Sequence, residues 1–428
     1  MRVIVKPSRK ISGIVEVPGD KSISHRLAML GAIATGQTII RRFSTSSDCL
    51  STVSCLRQLG IQIEFSGSDS LTILGQGLRG LKSVNQPLDA GNSGTTMRLL
   101  SGILGGQNFS TTLTGDNSLN KRPMNRIIEP LSQMGVLIQP NKNFTAPLKI
   151  EGGTLQPIDY LIPVASAQVK SSILLAGLYA QGMTQVQEIM STRNHTEIAL
   201  QQFGVKLEFS GKTIKILGGQ QPQALEISVP RDISSAAFFV AATLLIPNSE
   251  ILIEQVSLNP GRRTILDVLI KMGASIKILQ QKESFGELIG DLRVYSSTLR
   301  GGSLTGSLIP KIIDEVPILA ILATQTHKGI TIRNAGELRV KESDRIQTLV
   351  QNLRIMGAKI EEYSDGMFIP GQQILKGGTV HSHGDHRISM AFAIAGLIAL
   401  GPTYIKNGDC TDVSFPGFYG VLEKLCTR

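Results

Sequence analysis

The sequence predicts an α/β chain of six repeated units in two domains, and three observations carry that prediction. A short helix-to-strand signature recurs along the chain. A second, apolar class of helix recurs at the same interval. The two chain ends each look like part of a single unit.

The signature is Leu, two residues, a large apolar residue, Gly, then alternating apolar positions. It reads LRQLGIQI, LSQMGVLI, LQQFGVKL, LIKMGASI and LRIMGAKI, with its glycines at Gly60, Gly135, Gly204, Gly273 and Gly357. These lie roughly 70 to 85 residues apart, the interval of a repeat built from whole supersecondary units. A glycine directly after an amphipathic stretch predicts a helix ended by a residue in the left-handed region, followed by a strand. The second class comprises SHRLAMLGAIATG, TTMRLLSGILGG, QVKSSILLAGLYAQG, SSAAFFVAATLLIPN, EVPILAILATQTHKG and RISMAFAIAGLIALG. Most are apolar around much of their circumference, as buried helices are.

A sixth short helix, VLEKLCTR, reaches the C-terminus with no strand expected after it, while the N-terminal MRVIVKP and SGIVEVP read as strands with no helix before them. The economical solution is that the N-terminal segment completes the last unit. Residues 1–20 plus 236–428 then form a discontinuous domain holding both ends, and residues 21–235 form an inserted domain.

Composition bounds the rest. At 428 residues the chain suits two or three domains, and 41% hydrophobic with 18% charged residues argues against disorder. The start lacks the apolar core of a signal peptide. The longest apolar runs fall well short of the ~20 residues of a membrane span. A soluble, cytoplasmic protein is expected. Cys49, Cys55, Cys410 and Cys426 form no C-x-x-C pair and lie near no histidine cluster, so neither a zinc site nor a disulfide framework is expected. The net charge of +10 suits nucleic acid, acidic lipid or anionic substrates. Nucleic acid is disfavoured, because no basic run exceeds pairs such as Arg41-Arg42 and Arg262-Arg263, and the 4% of aromatics includes no Trp for stacking.

The unusual residues gather where the apolar helices begin: GDKSISHR, DAGNSGTTMR, ASAQVKSS, PRDISSAA, KIIDEVP and HGDHRISM. A helix start offers unpaired N–H groups and partial positive charge, so it attracts anions. Ser, Asp and Asn are also ordinary N-caps, and one such start alone signifies a cap. Six starts carrying Lys, Arg, Asp or Gln suggest instead a shared anion site, to which Lys21 and Arg26 add charge and Ser22 and Ser24 add donors. LNKRPM adds Lys121 and Arg122. LRVKESDR, alone a solvated helix face, adds Lys341, Glu342, Asp344 and Arg345 in this company.

PGDKSISHR, GNSGTTMR, LTGDNSLNKRPM, SAQVKS, LRVKESDR, GDHRISMA and SFPGF occur in this order over nearly the whole chain. Together they resemble the 5-enolpyruvylshikimate-3-phosphate synthases. The resemblance implies two inside-out α/β barrels of three βαβαββ units each, an enolpyruvyl transferase-like fold. It implies enolpyruvyl transfer from phosphoenolpyruvate to shikimate 3-phosphate, with release of phosphate, in aromatic amino acid biosynthesis. No metal or cofactor is implied, and the partners are the two small-molecule substrates.

The same resemblance implies roles. Lys21, Ser22, Arg26, Ser166, Gln168, Asp314 and Lys341 match residues that hold shikimate 3-phosphate, with Arg193 a further candidate for its phosphate. Lys21, Gly94, Arg122, Gln168, Arg345 and Arg387 match the phosphoenolpyruvate site, and Asn92 and Thr95 support the Gly94 turn. Asp314, Glu342 and Lys21 compete for the acid and base roles, with Asp314 preferred as base and Glu342 for the proton at C3. For His386 a catalytic, a phosphate-binding and a structural role stay open; His195 is expected to be structural.

Val413 stands where some members carry a lysine. KRPM and SAQ resemble a class less sensitive to glyphosate, whereas the bare Gly94 favours sensitivity. Two alternatives remain. One is a UDP-N-acetylglucosamine enolpyruvyl transferase, disfavoured because Ser22 follows Lys21 and residues 107–126 hold no cysteine. The other is a non-catalytic anion- or RNA-binding repeat protein.

Overall fold

Five helices end at the five signature glycines. In the computed structural model, which describes residues 1–427, Gly60, Gly135, Gly204, Gly273 and Gly357 all have φ between 81° and 107°. At the first of them, Gly60 N donates to Arg57 O and Ile61 N to Leu56 O, at 3.0 and 3.1 Å. Such bonds satisfy the last carbonyls of a helix and turn the chain straight into a strand.

The chain divides into two units. One comprises Met1–Pro18, Arg231–Glu283 and the chain from Leu288 onward; the other comprises Gly19–Pro230 with Ser284–Glu287. These boundaries fall a few residues before those the repeat spacing suggests, and the Ser284–Glu287 turn of a hairpin joins the inserted unit.

The inserted unit contains α1 (Lys21–Ile33), α2 (Ser47–Gln58), α3 (Gly94–Gly105), α4 (Asn125–Gln133), α5 (Ala167–Gly177) and α6 (His195–Gln202). Its three four-stranded sheets share one pattern. In the first, Glu226–Ser228 lies parallel to Thr35–Arg41, which lies antiparallel to Ser70–Gln76, itself antiparallel to Gln62–Ser66. The strand nearest the end of the unit thus pairs with its first strand, closing the set. The other two sheets run Leu88–Asp89, Ser110–Thr114, Thr145–Glu151, Leu137–Asn141 and Asp159–Ile162, Met183–Glu188, Thr213–Leu217, Leu207–Ser210. Strands such as Ser70–Gln76 alternate buried and open positions, the period-2 pattern of a sheet with one face on a core. That core consists of α1, α3 and α5 with the inward side chains of all three sheets, among them Ile40, Ile73, Leu148, Ile150, Val186 and Ile216.

The unit with both chain ends contains α7 (Ile233–Leu245), α8 (Thr264–Lys271), α9 (Ile309–Ile312), α10 (Val316–Ala323), α11 (Arg345–Ile355), α12 (His386–Leu397) and α13 (Phe418–Leu425). Here α7, α10 and α12 form the core. The N-terminal segment serves two sheets. Arg2–Val5 pairs antiparallel with Thr403–Lys406, and Lys10–Ile14 pairs parallel with Glu250–Ser257. One expectation is corrected: a strand does follow the last helix. Cys426–Thr427 pairs antiparallel with Lys10–Ile11, and two residues are too few to show alternation in a sequence. No helix among the described residues is long and apolar enough to cross a membrane.

The SFPGF motif has a packing role. Gly417, at φ 76°, precedes α13, and Phe415 and Phe418 meet the fully buried Phe239 of α7 at ring-centroid distances of 5.8 and 5.5 Å. Phe239→Ala removes that anchor and leaves a cavity, with an expected loss of about 3–5 kcal/mol in denaturant unfolding; a loss below about 1 kcal/mol contradicts this packing account.

Candidate active site

The buried helices begin with side-chain caps. Asp20 Oδ1 accepts from Ile23 N at 2.9 Å, Ser93 Oγ from Thr96 N at 3.0 Å, and Asp385 Oδ1 from Arg387 N at 3.0 Å. Ser166 caps α5 through Val169 N at 3.4 Å. The capping reading and the ligand reading therefore coexist at these starts. The residues singled out by sequence fall into two groups, one in each unit.

In the inserted unit, Lys21 opens α1 and its Nζ lies 2.8 Å from Asp48 Oδ2. One turn on, Arg26 is buried and held almost entirely by neutral oxygens. Its Nε donates to Thr196 Oγ1 at 2.6 Å, its Nη2 to Ser171 Oγ at 2.8 Å and its Nη1 to the Ser22 carbonyl at 2.8 Å. Burial first, and the neighbouring Arg193 second, pull the Arg26 guanidinium down to about 10, against the opposing pull of Glu197, Asp20 and Glu287. Arg193 Nη1 donates to Ser22 Oγ at 3.1 Å. Thus Ser22, Arg26 and Arg193 form one group, rich in donors.

A second part of this unit surrounds the start of α3. Arg122 Nη2 donates to Asn92 Oδ1 at 2.8 Å, and Asn92 Nδ2 to Asp116 Oδ2 at 2.7 Å. Gln168 Nε2 donates to Thr95 Oγ1 at 3.1 Å, and its Oε1 accepts from Arg98 Nη1 at 2.9 Å. A Cβ added at Gly94 would come 2.8 Å from Arg98 Nη1 and 3.5 Å from Arg122 Nη1. The glycine therefore leaves space between a helix start and two guanidiniums.

In the other unit, Asp314, Lys341, Glu342, Arg345 and Arg387 lie around the starts of α10, α11 and α12. Arg345 is 1% exposed. Its Nε donates to Asp385 Oδ2 and its Nη2 to Glu342 Oε2, both at 2.7 Å, while Nη1 has no hydrogen-bond partner and lies 3.9 Å from Asp314 Oδ1. Burial opposes its charge, but Asp385, Glu342 and Asp314 outweigh it and hold the guanidinium above the ordinary arginine range. Arg387 Nη1 donates to the Asp314 carbonyl at 2.8 Å, and its Nη2 lies 3.9 Å from Asp314 Oδ2. Lys341 sits half-buried between a 3-10 turn and Asp344, the N-cap of α11. His386 is buried at the first residue of α12. His195 is buried, with Nδ1 2.6 Å from Glu287 Oε1.

Sequence reasoning missed the partners of these groups. Arg98 lies four residues after Gly94, on the same helix face, and that spacing could have found it. Asp48, in the first turn of α2, and Asp385, which both caps α12 and holds Arg345, carried only the ordinary signal of acidic residues at helix starts. Lys170, 1% exposed, lies 3.0 Å from Glu188 Oε2 and 2.6 Å from Glu197 Oε1. A lysine inside an apolar helix signals such a buried pair, but not its partners.

Behind the α1 start, His25 Nδ1 lies 2.7 Å from Thr52 Oγ1, which bonds Thr96 Oγ1 at 2.6 Å. Burial, then Lys21 and Arg26, push His25 well below the ordinary histidine value of 6.5. Its folded pKa thus lies below its unfolded one, and below pH 6.5 the unfolded chain binds the extra proton. The contribution is complete above the unfolded value and is lost as pH falls beneath it. From this group, stability should fall by at most about 1.4 kcal/mol per pH unit below the unfolded value. His25→Gln should flatten the slope in urea midpoints taken from pH 7.5 to 5.0; an unchanged slope contradicts the assignment.

Residues 5–422 match the family described as EPSP synthase (3-phosphoshikimate 1-carboxyvinyltransferase). The chain is 49% identical over 421 residues to the 3-phosphoshikimate 1-carboxyvinyltransferase of Solibacter usitatus, over 98% of this chain and 99% of that one. It is 50% identical over 422 residues to that of Brevibacillus brevis, again over 98% and 99%. A solved EPSP synthase from Acinetobacter baumannii matches at TM-score 0.88 and 42% identity, over 99% of this chain and 98% of that one. On this evidence the chain belongs to the EPSP synthase family.

Proposed function

We propose that this chain is a transferase that moves the enolpyruvyl group of phosphoenolpyruvate to the 5-hydroxyl of shikimate 3-phosphate and releases phosphate. The observation that carries the reading is the pairing of family motifs with buried guanidiniums at helix starts: Arg26 beside Ser22 and Arg193, and Arg345 with a donor left over beside Arg387 and Asp314. Lys21, Ser22, Arg26, Arg193, Ser166 and Gln168 bind shikimate 3-phosphate, with Asp314 and Lys341 at its hydroxyls. Lys21, Gly94, Arg122, Gln168, Arg345 and Arg387 bind phosphoenolpyruvate. Arginine suits that task because its planar fork matches carboxylate and phosphate oxygens.

The reaction runs by addition and elimination. The 5-oxygen bonds to C2 of the enol as its proton leaves, and C3 gains a proton. The tetrahedral intermediate then loses a C3 proton as the C2–O bond to phosphate breaks. Asp314 takes the hydroxyl proton, Glu342 exchanges the proton at C3, and Lys21 with the arginines stabilises charge on the departing phosphate. The same reading takes the protein to act as a monomer in the cytoplasm and to be a target of glyphosate.

The direct test is phosphate release on mixing phosphoenolpyruvate with shikimate 3-phosphate, with UDP-N-acetylglucosamine as control. Release with the shikimate ester alone supports the reading, and release with the nucleotide sugar alone overturns it. Asp314→Ala should lower kcat about 10²–10⁴-fold with thermal unfolding little changed, since it removes a base from the transition state; unchanged turnover removes Asp314 from the mechanism. Gly94→Ala puts a methyl 2.8 Å from Arg98 Nη1 and beside Arg122. It should raise the glyphosate inhibition constant more than the KM for phosphoenolpyruvate, and equal losses contradict the crowding argument.

A further inference from the structure

Two adjacent arginines in the NPGRR stretch have opposite fates. The loop between Glu250–Ser257 and α8 is a tight turn. Asn259 Oδ1 accepts from Gly261 N at 2.9 Å, and its carbonyl accepts from Arg262 N and Arg263 N at 2.7 and 2.9 Å. The turn sends Arg263 outward, to pair with Asp267 at 3.1 Å one helical turn on. Arg262 goes inward and is buried. Its Nη2 donates to Ser234 Oγ and lies 3.4 Å from Glu315 Oε1, while its Nη1 lies 3.5 Å from Asp314 Oδ2. Ser234 Oγ in turn donates to Glu315 Oε1 at 2.5 Å. Arg262 is thus fixed at one end by Ser234 and Glu315, with its other end toward Asp314.

Charged groups facing Asp314 include Arg262 from this loop, Arg345 from α11, Arg387 from α12 and Glu315 beside it before α10, with Lys341 and Glu342 around the same helix starts. Arg345 and Arg387 are the two that match the family's phosphoenolpyruvate residues. Once their donors turn to that anion, they no longer serve Asp314. A partly buried carboxylate that loses two of its cations drifts toward its protonated form, and a protonated Asp314 can accept no proton.

We propose that Arg262 is a standing counter-ion of Asp314, a positioning residue that helps to keep this carboxylate ionised and aimed while Arg345 and Arg387 engage the incoming anion. This rests on Asp314 acting as the base, as read above.

The test compares R262Q, R262K, D314N and the double variant by kcat, by KM for both substrates and by the pH profile of kcat. R262Q should lower kcat about 10–100-fold with the KM for phosphoenolpyruvate within about threefold. It should also move the acid limb of the kcat profile to higher pH. R262K, which keeps the charge, should restore the limb. In a D314N background R262Q should add nothing, because both changes remove one function. A raised KM for phosphoenolpyruvate at unchanged kcat makes Arg262 an anion ligand and overturns the proposal. A slow D314N whose loss simply multiplies with that of R262Q overturns this proposal alone. A D314N with normal turnover overturns the reading of Asp314 and this proposal with it. Should R262Q not fold, S234A frees the same guanidinium with every charge kept. It should lower kcat about threefold or more at constant KM, and an unchanged kcat there overturns the proposal.

Discussion

A guanidinium buried at a helix start must find negative charge or lose part of its own, and that constraint shapes both groups of residues. Arg345 meets it internally: Asp385, Glu342 and Asp314 surround it and hold its pKa up. Arg26 does not. Hydroxyls and a carbonyl take its donors, Arg193 stands beside it, and its pKa falls. Nearby, the buried Glu188 and Glu197 both pair with Lys170. Burial thus outweighs the acidic groups near Arg26, whereas carboxylates outweigh burial at Arg345. On the proposed reading, the donors of Ser22, Arg26 and Arg193 meet the phosphate ester of shikimate 3-phosphate.

Compensation has a second use. Asp385 caps α12, anchors Arg345 and accepts from Ser343 Oγ at 3.1 Å. One buried carboxylate thereby sets the position of two helix starts. Hydrogen bonds that satisfy a buried charge on several sides leave it little freedom. Side chains fixed in this way suit transition-state stabilisation, where the protein should not reorganise as charge develops.

Much of this was legible in the chain because it is local. The five glycines at helix ends, the apolar helices and the helix-start motifs each occupy fewer than about 15 consecutive residues, the scale on which capping and periodicity act. What escaped was non-local. Arg262 reaches Asp314 across the sequence, Lys170 reaches Glu188 and Glu197, and nothing in NPGRR says which of its arginines turns inward. The two-residue strand Cys426–Thr427 and the assignment of Ser284–Glu287 to the inserted unit were hidden for the same reason: a short stretch carries no record of its partner. SFPGF was legible as a motif, but its work is to pack Phe415 and Phe418 on Phe239.

The claim that Arg26 and its neighbours form an anion site is tested most directly by titration calorimetry. Shikimate 3-phosphate and shikimate are each titrated into the protein and into R26Q. The account predicts that the phosphate ester binds the protein far more tightly than shikimate, and that R26Q loses about tenfold or more of this preference, the worth of one charge-assisted bond. Equal preference in both proteins would contradict it.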